Sequence, residues 1–192
     1  MTWNFHRYFA ERDEGLIGQL TLGQEERDRL ILLRKKVRGR IRDTFEEAKS
    51  LARETKATGL SMQSAKERIA VSRFKHLSLA AQDEIALLLV QMNDTVREAF
   101  LSLKPRFWTQ GSFQYNTLNR PYQTPPQEMD IDDGTYLPMA IFEDEPIIGH
   151  RFLQLVVDSA LQSLVAENEG WEFQPKRTCA RIKIAGADTH VD

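Results

Sequence analysis

Apolar residues recur at steps of three and four along the first third of the chain. Leu30, Leu33, Val37, Ile41, Phe45, Ala48 and Leu51 form one stripe, the spacing of a helix that buries a single face. Thr21 and Gln24 are spaced as a capping box, so the pattern predicts a helix that starts there and runs to about Lys56. After a break at Gly59, a shorter helix is expected near Gln63 to Phe74. Ser78 then caps a helix with Ile85, Leu88, Leu89, Met92, Val96, Phe100 and Leu103 inside, which Pro105 stops. No internal repeat occurs in this helical stretch.

Past Pro105 the period shortens. "RFWTQ" reads as a strand, and "GSFQYNTL" as a glycine turn opening a short helix. "NRPYQTPP" is a proline-rich loop, and "QEMDIDDGTYLPM" a strand. A helix follows over "IIGHRFLQLVVDSALQSLVAENEG", with Gly170 as its C-terminal stop. "RTCARIKIA" alternates again, "GAD" turns, and "THVD" begins a return strand. The expected fold class is α+β. It has a helical region over residues 1–104 packed on a sheet-bearing core over 105–192.

Charge changes the picture at two places. Residues 27–42 carry eight Arg or Lys and one acid, with Arg34, Arg38 and Arg42 aligned at steps of four. That strip is either a solvated face or a docking strip for an anionic ligand. Between Pro121 and His150 there is no Arg or Lys, and seven of the residues from Glu128 to Glu145 are acidic. One cysteine, Cys179, excludes an internal disulfide and points to a reducing compartment; beside Ala180 it reads as small core filler. The N-terminus has no signal-peptide pattern, and the longest apolar run, "IALLLV", is too short to cross a bilayer. A soluble, cytoplasmic protein is expected.

The chemistry is concentrated in "EMDIDDGTYLP". On a strand, Asp130 and Asp132 point to one face, where like charges repel unless something positive lies between them. An EF-hand loop fails the count. From Asp130 the sixth position is Thr135 rather than Gly, and the twelfth is Ile141 rather than Glu. A wet strand edge remains, as does a two-metal site in which acidic oxygens hold cations that bridge phosphates. The second needs a phosphate cradle and a third acid. Gly111 and Ser112, between a strand and a helical turn, suit the cradle. Asp192, on a strand able to pair beside Asp130, suits the third acid.

In this order the parts resemble the polymerase-β-like nucleotidyltransferases. The segments "FWTQGSFQYNTLNRP", "EMDIDDGTYLPM", "SLVAENEGW" and "RIKI…THVD" are similar to the bacterial cyclic GMP-AMP synthases of the cGAS/DncV-like type, as are "MTWNFH" and "FEEAK". The likeness covers essentially the whole chain. It implies a polymerase-β-like core preceded by long helices. It also implies Asp130, Asp132 and Asp192 as catalytic ligands of two Mg²⁺ ions, and Gly111 and Ser112 as the grip on the donor triphosphate. Gln110, Tyr115 and Arg181 become candidate nucleotide contacts, Arg181 being equally readable as a surface charge. ATP and GTP are the implied substrates, and 3′,3′-cyclic GMP-AMP is the implied product, which would switch on an effector in anti-phage signalling. No nucleic acid is required. A folate-like regulator is implied for relatives, and Arg34, Arg38 and Arg42 are the candidate site.

Two features depart from the family. The gap from Ser112 to Asp130 is long, and family members run to about twice this length with a second helical lobe that is absent from this sequence. Activity of the 192 residues alone is therefore not expected. Two rivals share the motifs: a transferase that adds one nucleotide to a small molecule or RNA end, and an inactive nucleotide-binding copy.

Overall fold

The computed structural model describes residues 5–11, 15–58, 61–123, 127–138, 146–177 and 179–192. The Gly59 break, Pro125 and Pro126, and the acids Glu143, Asp144 and Glu145 lie outside them. Two short helices, α1 (Phe5–Ala10) and α2 (Leu16–Leu20), lead into α3 (Gln24–Thr58). At 35 residues, α3 is about 50 Å long and is the longest element described. It begins later than the expected capping box. The Glu26 carboxylate accepts from the Gly23 N–H at 3.0 Å, while the Thr21 hydroxyl donates back to the Ile17 carbonyl. A carboxylate three residues on from Gly23 satisfies a free helix-end N–H better than Gln24 can from its own position.

The next helices are α4 (Met62–Val71), α5 (Leu79–Gln91) and α6 (Asp94–Ser102), with a 3-10 turn over Arg73–His76 between the first two. Ser61 and Ser78 cap α4 and α5 through their hydroxyls. The single helix expected from Ser78 to Leu103 is two. Asn93 accepts from the Val96 N–H and opens α6, and the buried Arg97 closes α5 by donating to the Met92 carbonyl. The same guanidinium donates to the Ala52 carbonyl and the Thr55 hydroxyl of α3. Arg97→Ala should therefore strand acceptors on two helices. A loss of about 3 kcal/mol is expected in urea unfolding, since each buried polar group left unpaired costs roughly 1–3 kcal/mol. A change within experimental error would show that water replaces the guanidinium.

The strands come next in the chain: β1 (Arg106–Thr109), the short α7 (Gly111–Gln114), β2 (Met129–Ile131) and β3 (Asp133–Tyr136). After them come α8 (Pro146–Glu167), β4 (Trp171–Pro175), β5 (Ala180–Ile184) and β6 (Thr189–Val191). β1 and β3 form an antiparallel pair, and the other four strands form a sheet in the order β2-β6-β5-β4. β2 runs parallel to β6, and the rest of that sheet is antiparallel. The expected single strand over "QEMDIDDGTYLPM" is thus split, and Asp132 is the residue at which the chain passes from one sheet to the other.

Two apolar clusters meet along α3 and α8. In one, Phe45, Phe100 and Phe152 stack from α3 through α6 to α8, the last two edge-on at 4.9 Å. In the other, Leu30, Val37 and Ile41 of α3 and Leu161 and Leu164 of α8 cover Ile131, Ile182 and Val191 of the sheet. The sequence-stripe residues thus bury as their spacing requires, Leu33 only partly. Among the described residues, no helix is long and apolar enough to cross a membrane.

Candidate active site

β1 ends at the buried Thr109, and the chain then turns through Gln110 into Gly111, whose φ of +65° is left-handed backbone that glycine adopts without strain. The turn is fastened to the strand switch. The Gln110 N–H donates to the Asp132 carbonyl at 2.8 Å. The absence of a side chain at Gly111 lets the Asp132 carboxylate lie against it; a Cβ there would stand 2.0 Å from Oδ2. Ser112 follows, its carbonyl accepting from the Thr117 and Leu118 N–H groups. The loop and one acid of the Asp-x-Asp pair are therefore a single unit.

The other two acids meet on neighbouring strands. Asp130 pairs in register with His190, two residues before Asp192. The Asp192 N–H donates to the Ile131 carbonyl at 3.0 Å and the Asp133 N–H to the Asp192 carbonyl at 2.9 Å, which carries the ladder one residue beyond β6. Ligand atoms of Asp130, His190 and Asp192 all lie within 4.8 Å of one another, close enough to share a cation.

Electrostatics separate these carboxylates. Burial pushes the Asp130 carboxyl above its usual range, opposed by His190 and reinforced by Asp132 and Asp192. Burial alone would also raise Asp192, but the Arg181 guanidinium grips both its oxygens at 2.5 Å and holds it below the usual range. Arg181, ambiguous from sequence, is here the partner of the third acid. Asp133 is not part of the cluster. Arg38 binds both its oxygens and, with Arg34, donates to the Thr109 hydroxyl, so two residues of the basic strip brace the strand pair from behind. Arg42 lies over the Phe107 ring at 4.7 Å.

A cleft of about 620 Å³ opens beside the acids, lined among others by Gln110, Asp132, Tyr136, Asp158, Lys176 and Asp192. Gln110 donates to the Tyr136 hydroxyl, and Tyr115 is exposed at the end of α7. Cys179 is half-buried on the cleft wall rather than in the core, and burial followed by the nearby Asp192 raises its thiol, which argues against a nucleophile.

Sequence reading missed His190 and Glu128. Each stands two residues before an acid of the cluster, so strand alternation alone places them on the face of Asp192 and Asp130.

A family described as "Cyclic GMP-AMP synthase DncV-like, nucleotidyltransferase domain" matches residues 105–192. The cyclic GMP-AMP synthase of Vibrio cholerae serotype O1 is 56% identical over all 192 residues, which cover 44% of its own length. The chain thus spans about half the length of the curated relatives it matches. Two solved forms of the Vibrio cholerae di-nucleotide cyclase superpose over the whole chain. A mutant with two aspartates replaced by alanine has a TM-score of 0.95 at 55% identity, with 50% of that chain covered. A single Asp-to-Asn mutant in complex with ATP, GTP and the folate-like 5MTHFGLU2 has 0.93 at 56%, with 49% covered.

Proposed function

Since residues 105–192 belong to the DncV-like nucleotidyltransferases, we propose that this chain supplies the donor-triphosphate and metal half of a cyclic dinucleotide synthase that joins ATP to GTP. The observation that carries the reading is the joining of three parts, the Gly111 loop, the Asp132 it touches, and the Asp130–Asp192 pair on adjacent strands, with Asp132 and Asp192 lining the cleft.

The residues fit a pair of Mg²⁺ ions. Asp130 and Asp192 approach each other, with Arg181 bonded to Asp192, and among the described residues Oδ1 of Asp130 is sealed from solvent without a hydrogen bond. Asp130, Asp132 and Asp192 would hold the ions, which when bound neutralise the triphosphate and acidify the attacking ribose hydroxyl. The protein's own part is positioning and charge. The Ser112 hydroxyl and adjacent N–H groups orient the donor triphosphate. Arg181 keeps Asp192 ionised, which suits a ligand better than a proton acceptor. A ribose 3′-hydroxyl releases its proton to water as its oxygen bonds the α-phosphorus, the bond to pyrophosphate breaks, and a second such transfer closes the ring.

The product is assigned as 3′,3′-cyclic GMP-AMP, acting on an effector in anti-phage signalling. A folate-like polyanion is proposed at the Arg34, Arg38 and Arg42 strip through Arg42, its exposed member, since Arg34 and Arg38 are bonded to Thr109 and Asp133. The test incubates the 192-residue chain, alone and joined to the remainder of the Vibrio cholerae relative, with Mg²⁺, ATP and GTP. Phosphatase treatment and mass spectrometry follow. A phosphatase-resistant dinucleotide is expected from the joined protein and none from the chain alone, because proximity of the acceptor is worth ~7–11 kcal/mol of barrier. A capped acceptor would instead support a simple transferase, and no product from either a binding protein.

Ser112→Ala should weaken binding of a non-hydrolysable ATP analogue by about tenfold or more, as one hydrogen bond to a charged phosphate contributes roughly 1.5–3 kcal/mol. An unchanged calorimetric titration would leave Gly111 and Ser112 as a turn only.

A further inference from the structure

The loop that follows the Gly111–Ser112 turn is tied to the residues that lead into α3 and to its first turn. The Arg120 N–H donates to the Leu20 carbonyl at 2.7 Å, and Thr21 and Asn119 form an antiparallel bridge. Oε2 of Glu26, which accepts from the Gly23 N–H, also accepts from Nε of Arg120 at 2.7 Å. Arg27 donates from Nη1 to Oδ1 of Asn116. Glu26 and Arg27 are neighbours on the first turn of α3, so that turn holds both ends of residues 116–120. The hydrogen-bonded Arg120 guanidinium keeps the Glu26 carboxyl below its usual range, so the pair is ionised.

The tied loop in turn holds Ser112. Asn116 has a φ of +59°, left-handed backbone that residues other than glycine rarely adopt, and it directly follows Tyr115 at the end of α7. The reversal there brings the Thr117 and Leu118 N–H groups back onto the Ser112 carbonyl at 2.9 and 3.1 Å. That carbonyl belongs to the peptide group joining Ser112 to Phe113, which is buried in the same apolar cluster as Leu30 of α3. The peptide group is therefore fixed on one side by the Phe113 ring and on the other by residues 116–118. We propose that Arg27 is a positioning residue for the donor nucleotide: by holding Asn116 it keeps this reversal closed on Ser112, while Arg120, bound to Glu26, secures the far end of the same loop. The inference rests on the reading of Gly111 and Ser112 as the phosphate cradle. A contact to phosphate contributes most when its donor is ordered before the ligand arrives, and a loop gains that order through such ties.

The test titrates α,β-methylene ATP with Mg²⁺ into the 192-residue chain by calorimetry and records a thermal melt of each variant. Arg27→Met keeps the apolar stem and loses every donor; Arg27→Lys returns one. Arg27→Met is expected to weaken binding ~2–10-fold, the size of one hydrogen bond, with the melt retained as for other surface substitutions. Arg27→Lys is expected to recover most of the loss. Asn116→Gly adopts left-handed backbone without strain but offers Arg27 no acceptor, so adding Arg27→Met to it should cost no further affinity. Arg120→Met is expected to weaken binding in the same direction and carries the test if Arg27→Met does not fold. Wild-type affinity in Arg27→Met, or in Arg120→Met where that variant carries the test, would overturn the role. So would a full second loss when Arg27→Met is added to Asn116→Gly, which would make Arg27 a direct phosphate contact. Wild-type protein that binds no nucleotide would overturn the cradle reading itself, an outcome distinct from wild-type binding that the variants leave unchanged.

Discussion

Asp130→Asn and Asp132→Asn are each expected to cut nucleotidyl transfer about a thousand-fold in the active enzyme, since loss of a metal ligand removes several kcal/mol of charge stabilisation and each 1.36 kcal/mol is tenfold in rate. The fold should survive, because an amide keeps the shape and relieves repulsion. The Vibrio cholerae cyclase with two aspartates replaced by alanine still superposes on this chain with a TM-score of 0.95. Stability should respond in opposite senses at two positions. The Asp130 carboxyl is raised in the folded protein, so its ionised form costs stability once pH exceeds its unfolded value of about 3.9. Asp130→Asn should therefore hold or raise the metal-free melting temperature at neutral pH, with the gain vanishing in acid. The Asp192 carboxyl is depressed by Arg181, so its contribution is present above the unfolded value and lost as pH falls through the folded one. Asp192→Asn should lower the neutral melting temperature and lose that deficit in acid. Thermal melts of both variants from neutral pH down to about 3 check the crossing. Normal turnover in Asp130→Asn or Asp132→Asn would remove the metal assignment.

Much of this site was legible because strands and helices expose their period. The 3.6-residue stripe on α3 marks its buried face, of which Leu30, Val37 and Ile41 cover the sheet, and the order of strand, Gly-Ser turn, Asp-x-Asp and final Asp places the acids together. What could not be read depended on partners distant in sequence. Nothing local to "DIDD" distinguishes Asp132, against Gly111, from Asp133, which Arg38 draws out of the cluster from 95 positions away. The break at Asn93 is visible only once Arg97 is seen to take the Met92 carbonyl. β4 does not show in the sequence because Glu172, Gln174 and Pro175 weaken its alternation, which an edge strand tolerates. His190 reads as one polar residue in "THVD", although its spacing from Asp192 matches that of Glu128 from Asp130.

Gly111→Ala is expected to damage the site nearly as much as removal of an acid, although it deletes no functional group. The φ of +65° disfavours any Cβ, by roughly 1–2 kcal/mol. More seriously, the added carbon would stand 2.0 Å from Oδ2 and 3.1 Å from Cγ of Asp132. Asp132 cannot retreat as a unit, because its carbonyl accepts from the Gln110 N–H and the next residue is held by Arg38. Its carboxylate must swing away instead. A displacement of about 1 Å at a reacting centre can cost a hundred-fold in rate. Turnover should fall by about that factor, the Mg²⁺ concentration for half-maximal rate should rise, and stability should drop by more than the roughly 1–2 kcal/mol of the backbone term alone. A double-mutant cycle identifies the cause. With Asp132→Ala already present the clash is gone, so Gly111→Ala should then cost only the backbone term in urea unfolding and no further activity. Additive losses in stability and rate would mean that the Gly111 turn acts on the triphosphate directly, without passing through Asp132.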